Sequence, residues 1–118
     1  MKTVTQIKAL KTFLVVLTVT LISGCLYKDE PPAAMATGKD MYQDYCAGCH
    51  RPSGVGKFFL GIPASISAEL SRADTVRLIR EGDPRYPRMP VFPQIKFSQA
   101  QKIYDHLEDL RERHMLNQ

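Results

Sequence analysis

The chain has 118 residues, a length that suits one small domain with accessory segments. It contains three cysteines and no tryptophan, and its formal net charge is +4. Lys2, Lys8 and Lys11 lie together at the start of the chain and contribute most of that excess. The remainder is almost balanced in charge, so the composition gives no support to a nucleic-acid partner.

A basic start followed by a short apolar run forms the first segment. The run from Thr12 to Ile22 has no charged residue, but it is shorter than the about 20 residues that a bilayer crossing takes. This pattern predicts a secretory leader. The sequence Ile22-Ser23-Gly24-Cys25 resembles the lipobox of bacterial lipoproteins, which implies that residues 1–24 are removed and that Cys25 carries a lipid. The alternative is that Cys25 is a leftover thiol at an ordinary signal-cleavage site.

Residues 25–36 are predicted to tether the lipid to the domain. Pro31 and Pro32 favour an extended backbone, and the segment has no helical face. At about 3.1 Å per residue, such a tether reaches up to roughly 35 Å. A domain held in this way stays near the membrane and can reorient.

Thr37 and Asp40 form a predicted capping box, so a helix is expected to begin at Gly38 and to run into Cys46-Ala47-Gly48-Cys49-His50. Two thiols and an imidazole at this spacing are what covalent attachment of a c-type haem requires. Each thiol can add to a haem vinyl group, and His50 can then take one axial position on the iron.

Three other interpretations of Cys46 and Cys49 stay open: a redox-active dithiol, a pair of metal ligands, and a structural disulfide. A zinc site would lack ligands, because His106 and His114 lie far along the chain on a separate predicted helix. A redox dithiol is expected in a βαβ context, and no alternating strand pattern flanks the motif. Haem attachment is therefore the favoured prediction.

The segment from Arg51 to Ala64 is rich in glycine and proline, which predicts a loop. Its apolar run Phe58-Phe59-Leu60 is expected to lie against an apolar surface, either a haem edge or a small core. Further on, Ser71 and Asp74 predict a capped helix that ends at Gly82.

Four prolines surround Met89, at positions 84, 87, 90 and 93. They stiffen the backbone, and an already ordered loop loses less entropy when a weak ligand such as a thioether binds iron. Methionine is more often a core filler than a ligand. Beside a haem, this setting favours Met89 as the second axial ligand, and Met35, Met41 and Met115 are poorer candidates.

A third predicted capping box, Ser98 with Gln101, opens a helix that runs through Arg113. On this helix His106 is expected to pack against a neighbouring helix, and its alternative role is that of a distal ligand in bis-histidine iron. Four arginines form either a docking patch for an acidic redox partner or a solvated face: Arg77, Arg80, Arg85 and Arg88.

The spacing Gly38-x-x-x-Tyr42-x-x-x-Cys46, the CxxCH motif and the Met89-Pro90-x-Phe92 run together resemble the class I (mitochondrial-type) cytochromes c. The resemblance covers Thr37 to Arg113. It implies an all-α small cytochrome c fold in which three to four helices wrap around one covalently attached haem c. The domain spans residues 37–118, and its N- and C-terminal helices cross.

The resemblance also implies the ligand set. Cys46 and Cys49 bind the haem covalently, His50 is the proximal iron ligand and Met89 is the distal one. Where the family places an aromatic residue opposite the helix glycine, this chain has His106, so a looser helix crossing is expected.

Such a protein carries single electrons between a redox donor and an acceptor, and it is not expected to be an enzyme. It is expected to be exported and lipid-anchored to a bacterial membrane, facing the periplasm or the cell exterior, either as a monomer or within a membrane redox complex. The alternatives are a haem subunit of a larger oxidoreductase, and a haem-based gas sensor or peroxidase in which Met89 can be displaced.

Overall fold

The computed structural model describes residues 27–67 and 69–118. The leader and Cys25 lie outside these residues. Within them the chain forms four α-helices and two short 3-10 turns, and the predicted all-α fold is confirmed. The helices are α1 Gly38–Tyr45, α2 Ala47–His50, α3 Arg72–Glu81 and α4 Phe97–Leu116, and the turns are Phe58–Leu60 and Ser65–Ser67. None of the helices in this part of the chain has the length and apolar character that a membrane crossing requires.

Helix α1 begins at the predicted capping box. The hydroxyl of Thr37 accepts a hydrogen bond from the Asp40 amide at 3.1 Å, and the Thr37 amide donates to the Asp40 carboxylate at 3.1 Å. Two amides that the helix itself leaves unpaired are satisfied in this way, and a cap of this kind stabilises a helix by about 1 kcal/mol. The helix buries Met41 and Tyr42, each only 1% exposed.

Helix α4 crosses α1 and also packs against α3. At the crossing, a Cβ added to Gly38 would lie 2.0 Å from the Lys102 carbonyl oxygen, so the two backbones approach closely. The expected looser crossing is therefore wrong. His106 packs at this crossing as expected, with its ring centroid 5.4 Å from that of Tyr42.

Helix α3 has the predicted bounds. The Ser71 hydroxyl accepts a hydrogen bond from the Asp74 amide at 3.1 Å, and the helix ends at Gly82, whose φ of 86° suits glycine. Val76 and Ile79 point into the core, where they meet α4.

Helix α4 begins earlier and ends later than the sequence predicts. Its first turn is capped by Gln99, whose side-chain oxygen accepts a hydrogen bond from the Lys96 amide at 3.0 Å. The predicted Ser98 and Gln101 box is therefore wrong by two residues, because a second glutamine lies at cap spacing. The last helical residue is Leu116, not Arg113.

The segment before α1 lies on the domain instead of extending away from it. We call residues 27–33 the strap. Lys28 forms an ion pair with Asp44 at 2.8 Å, and the Gln99 side chain donates to the Ala33 carbonyl at 3.3 Å. The prolines do favour an extended backbone. This backbone is held against the helices by long-range contacts, which no local sequence pattern indicates.

Candidate haem site

A cavity of about 1050 Å³ lies between α2, the loop that precedes α4, and the inner faces of α3 and α4. Its volume is slightly above the range of about 300–1,000 Å³ that is typical of small-molecule and cofactor sites. The walls are mostly apolar. The lining includes the four residues that the sequence assigns to haem: Cys46, Cys49, His50 and Met89.

The haem motif is placed by the junction of α1 and α2. Cys46 joins the two helices, since its amide donates to the Tyr42 carbonyl at 2.9 Å and its carbonyl accepts from the His50 amide at 2.9 Å. Residues three and four apart on a helix share a face. Cys46, Cys49 and His50 therefore reach the same cavity.

The two motif cysteines are not bridged to each other. Cys46 is a free, buried thiol, and burial raises its pKa to about 12. Cys46 therefore does not form the alternative that the sequence left open, a structural disulfide with Cys49. A redox-active dithiol needs a lowered thiol pKa, which Cys46 does not have. The described residues also hold no group of three or more His, Cys, Asp or Glu that could bind a metal ion.

The His50 ring is oriented by the loop that follows the motif. Its Nδ1 lies 2.9 Å from the Pro63 carbonyl oxygen. A carbonyl can only accept, so Nδ1 carries the proton and the neutral ring keeps the lone pair on Nε2. Burial lowers the pKa of His50, while the bond to Pro63 opposes that shift. The neutral form that binds iron is therefore the favoured one.

The chain turns sharply just after His50. Arg51 has a positive φ of 63°, which is costly for a residue other than glycine. The Tyr42 hydroxyl donates to the Arg51 carbonyl at 3.1 Å and also lies 2.9 Å from the Ser65 hydroxyl. Burial raises the pKa of Tyr42 to about 12, so this phenol stays a donor at neutral pH. A core side chain thus holds the end of the haem motif.

Met89 lies in the segment 82–96, which we call the Met89 loop. The side chain is half-buried, packs against the main hydrophobic cluster and lines the cavity. Its amide donates to the Tyr86 carbonyl at 3.0 Å, and three residues later the Phe92 amide donates to the Ile79 carbonyl on α3 at 2.7 Å. Phe92 itself is only 4% exposed, so it anchors the loop in the core.

The apolar run at the first 3-10 turn does not lie where the sequence predicts. Phe58 is 88% exposed and Phe59 is 98% exposed, and only Leu60 contributes to the cavity lining. The turn is closed by an antiparallel bridge between Lys57 and Ile62, which leaves its tip pointing outward. The expectation that the whole run covers an apolar surface is wrong for both phenylalanines.

Two contributions to the site were missed from the sequence. The Pro63 carbonyl that orients His50 is a backbone group, and no sequence pattern identifies such a partner. Tyr27 lines the cavity from the strap. A signal for Tyr27 did exist, since it is the only aromatic residue in the segment 27–36.

Residues 33–107 match the family model described as cytochrome C oxidase, cbb3-type, subunit III. The chain belongs to this family. It is a c-type cytochrome domain that binds covalently attached haem c and serves haem-based electron transfer, and the predicted cofactor is confirmed. Neither a curated protein nor a solved structure matches the chain.

The residues of this cytochrome fit the cofactor. The cavity has the required size, two cysteines lie at one wall, and a neutral imidazole and a thioether both line it. These are the donor types that hold haem iron in cytochromes c. The individual ligand assignments stay predictions.

Proposed function

We propose that this cytochrome is a class I monohaem electron carrier, in which Cys46 and Cys49 hold the haem and His50 and Met89 ligate the iron. The observation that carries the proposal is the shared cavity, which all four side chains line. Haem supplies the one-electron chemistry when bound. The protein's own residues attach it, orient it and exclude water.

The roles of these residues differ. The Pro63 carbonyl fixes the ring orientation of His50 and increases its basicity as a ligand. Met89 approaches from a loop that is anchored to α3, and methionine ligation raises the reduction potential relative to a second histidine. The mostly apolar walls would limit the contact between solvent and a bound haem, which tunes the reduction potential.

A Met89→Ala substitution tests this assignment. Loss of the thioether should abolish the weak near-infrared charge-transfer band of sulphur–iron ligation, lower the potential and open the iron to carbon monoxide. Met115→Ala is the matched control, because Met115 is 64% exposed at the end of α4. Ready binding of carbon monoxide by the unmutated reduced protein would instead favour the gas sensor or peroxidase.

We also propose that the protein is exported and attached to a bacterial membrane by a lipid on Cys25. The strap reduces the reach of such an anchor, because the chain already lies on the domain at Tyr27. Two extended residues span about 7 Å, far less than the roughly 35 Å of a free tether. The domain would then lie close to the membrane with a fixed face toward it.

Cys25→Ser should release the protein from membranes or leave it as an unprocessed precursor. Mass spectrometry of the mature amino terminus distinguishes these results. An unmodified Cys25 in a freely soluble product would rule out the anchor without affecting the haem assignment. Lys28→Ala is the control, because it removes an exposed strap contact and leaves the cysteine in place.

A second candidate function, a fixed subunit of a larger oxidoreductase, is favoured by the exposed turn. Phe58 and Phe59 form an edge-to-face pair with ring centroids 5.7 Å apart, almost wholly outside the protein. Exposed aromatic residues beside a redox site are typical of protein interfaces. The family's oxidase description supports the same candidate.

Native electrophoresis of membranes solubilised in mild detergent separates the two functions. A subunit gives a haem-stained band at the size of a complex, and Phe58→Ser with Phe59→Ser should shift that band to the free protein. The matched control is Met115→Ser with Leu116→Ser, which changes two exposed apolar residues at the far end of α4. A band at the monomer position in the unmutated protein favours the free carrier.

A further inference from the structure

The strap contacts the Met89 loop directly. The Tyr27 hydroxyl donates to the Val91 carbonyl at 2.7 Å, and it also lies 3.4 Å from the Gln94 side-chain oxygen. In return the Gln94 side-chain amide donates to the Lys28 carbonyl at 2.7 Å. These contacts join residues more than 60 positions apart in the chain.

The Tyr27 ring adds an apolar contact to these hydrogen bonds. It stacks on Phe92 with ring centroids 5.3 Å apart and planes 14° from parallel. Phe92 is also met edge-on by Tyr45, at 6.1 Å between centroids. The anchor residue of the loop is thus held between two aromatic rings, one from the strap and one from α1.

Helix α3 holds the loop from another direction. The Phe92 amide donates to the Ile79 carbonyl, and the Arg80 side chain donates to the Ile95 carbonyl at 3.0 Å. On the strap side, Tyr27 bonds to Val91, two residues after Met89, and stacks on the next residue. Tyr27 therefore contacts the loop within three residues of the candidate ligand Met89.

We propose that Tyr27 is a positioning residue that holds the Met89 loop in the conformation in which Met89 lines the haem cavity. The inference rests on the proposed Met89 ligation. A thioether is a weak neutral ligand, so its affinity for iron depends on how much conformational entropy the loop loses on binding. A loop without the strap would be more mobile and would lose more entropy. The strap restricts the loop before the sulphur binds, so this entropy loss is smaller. Prolines stiffen the loop from within, and Tyr27 fixes it to the domain from outside.

Two substitutions separate the parts of the contact. Tyr27→Phe keeps the stack on Phe92 and removes the hydroxyl, whereas Tyr27→Leu removes both. Phe97→Leu is the matched control, because Phe97 is an exposed aromatic residue at the start of α4 that does not line the cavity. The measurements are hydrogen exchange of the loop amides and carbon monoxide binding by the reduced haem protein.

Tyr27→Leu should speed exchange of the amides in 85–95 and the binding of carbon monoxide by about tenfold, the factor expected for a lost hydrogen bond and ring contact. Tyr27→Phe should give a smaller increase in both, and Phe97→Leu should change neither. The rates of amide hydrogen exchange in α4 should equal those of the unmutated protein. The near-infrared sulphur–iron band should weaken most in Tyr27→Leu, less in Tyr27→Phe and not at all in Phe97→Leu.

Equal loop exchange in Tyr27→Leu and the unmutated protein would overturn the proposal. A uniform increase across the loop and α4 would overturn it as well, because it would mean that Tyr27 serves general stability. Failure of the proposed function has a different signature, namely an unmutated protein that lacks the sulphur–iron band. Faster loop exchange in Tyr27→Leu would then still support restraint of the loop by Tyr27, and only the link to ligation would be lost.

Discussion

The two crossing helices approach each other closely at Gly38, and Gly38→Ala tests how much of the fold depends on this contact. An added Cβ would lie 2.0 Å from the Lys102 carbonyl oxygen and 2.6 Å from its carbon. Both are backbone atoms, so the clash cannot be relieved by a rotamer change. Helix α4 would have to move away by at least about 1 Å from a close-packed core.

The expected magnitude follows from two opposing terms. Overpacking of a core costs about 1–3 kcal/mol, or more where the backbone must shift, whereas alanine in a helix gains at most about 1 kcal/mol over glycine. A net loss of about 2 kcal/mol lowers the melting temperature of a domain of this size by about 8–16 °C. Thermal unfolding followed by circular dichroism measures it.

Gly48→Ala is the matched control for Gly38→Ala. It is the same change on the neighbouring short helix, where an added Cβ meets no atom within 4 Å. With both variants measured as the haem-free chain, the effect of Gly48→Ala on the melting temperature should be small or slightly stabilising. A Gly38→Ala protein as stable as the unmutated one would refute the close crossing of α1 and α4.

Two other substitutions probe the core near the site. Tyr42→Phe removes the hydroxyl that holds the end of the haem motif, and urea unfolding should show a loss of about 1–2 kcal/mol in the free energy of unfolding. His106→Leu should instead raise stability, since its buried Nε2 has no hydrogen-bond partner among the described residues. Burial lowers the pKa of His106, with Arg113 and Lys39 adding to that effect and Asp109 opposing it. Protonation therefore favours the unfolded chain, so the unmutated protein should lose stability as the pH falls below about 6.5, and His106→Leu should lose less.

The helices near the site could be predicted because their signals are local. Thr37 with Asp40, and Ser71 with Asp74, lie at cap spacing, and the structure forms both caps. The CxxCH spacing likewise places three side chains on one face of a short helix. In each case the physical cause lies within four residues, so the sequence alone carries it.

The features that could not be predicted depend on distant contacts. Prolines in the strap indicate an extended backbone, but only its pairing with Gln94 and Gln99 shows that it lies on the domain. An apolar run such as Phe58-Phe59-Leu60 suggests burial, and only the closed turn places its tip in solvent. Local patterns give the conformation of a segment, whereas the side on which it packs depends on the rest of the fold.

The four arginines predicted to form either a docking patch or a solvated face show how ion pairing determines the charge of a surface. Arg77 bonds to Asp74 at 2.9 Å, and Arg85 bonds to Asp83 at 2.7 Å, so their charges are compensated. The nearby guanidinium of Arg85 is also the main reason that the pKa of Asp83 falls to about 2, which keeps this pair charged at neutral pH.

Arg80 and Arg88 bond instead to backbone carbonyls, of Ile95 and Gly61, which occupy donors without cancelling charge. Arg88 is the exposed one of the two, and its contact at Gly61 sets it beside the turn that carries the exposed phenylalanines. The exposed charge of Arg88 therefore borders the apolar tip. An interface has this arrangement when an apolar centre is bordered by a charged rim. A partner that docks here should present an acidic group next to an apolar surface, and its association should slow as salt screens the attraction to Arg88.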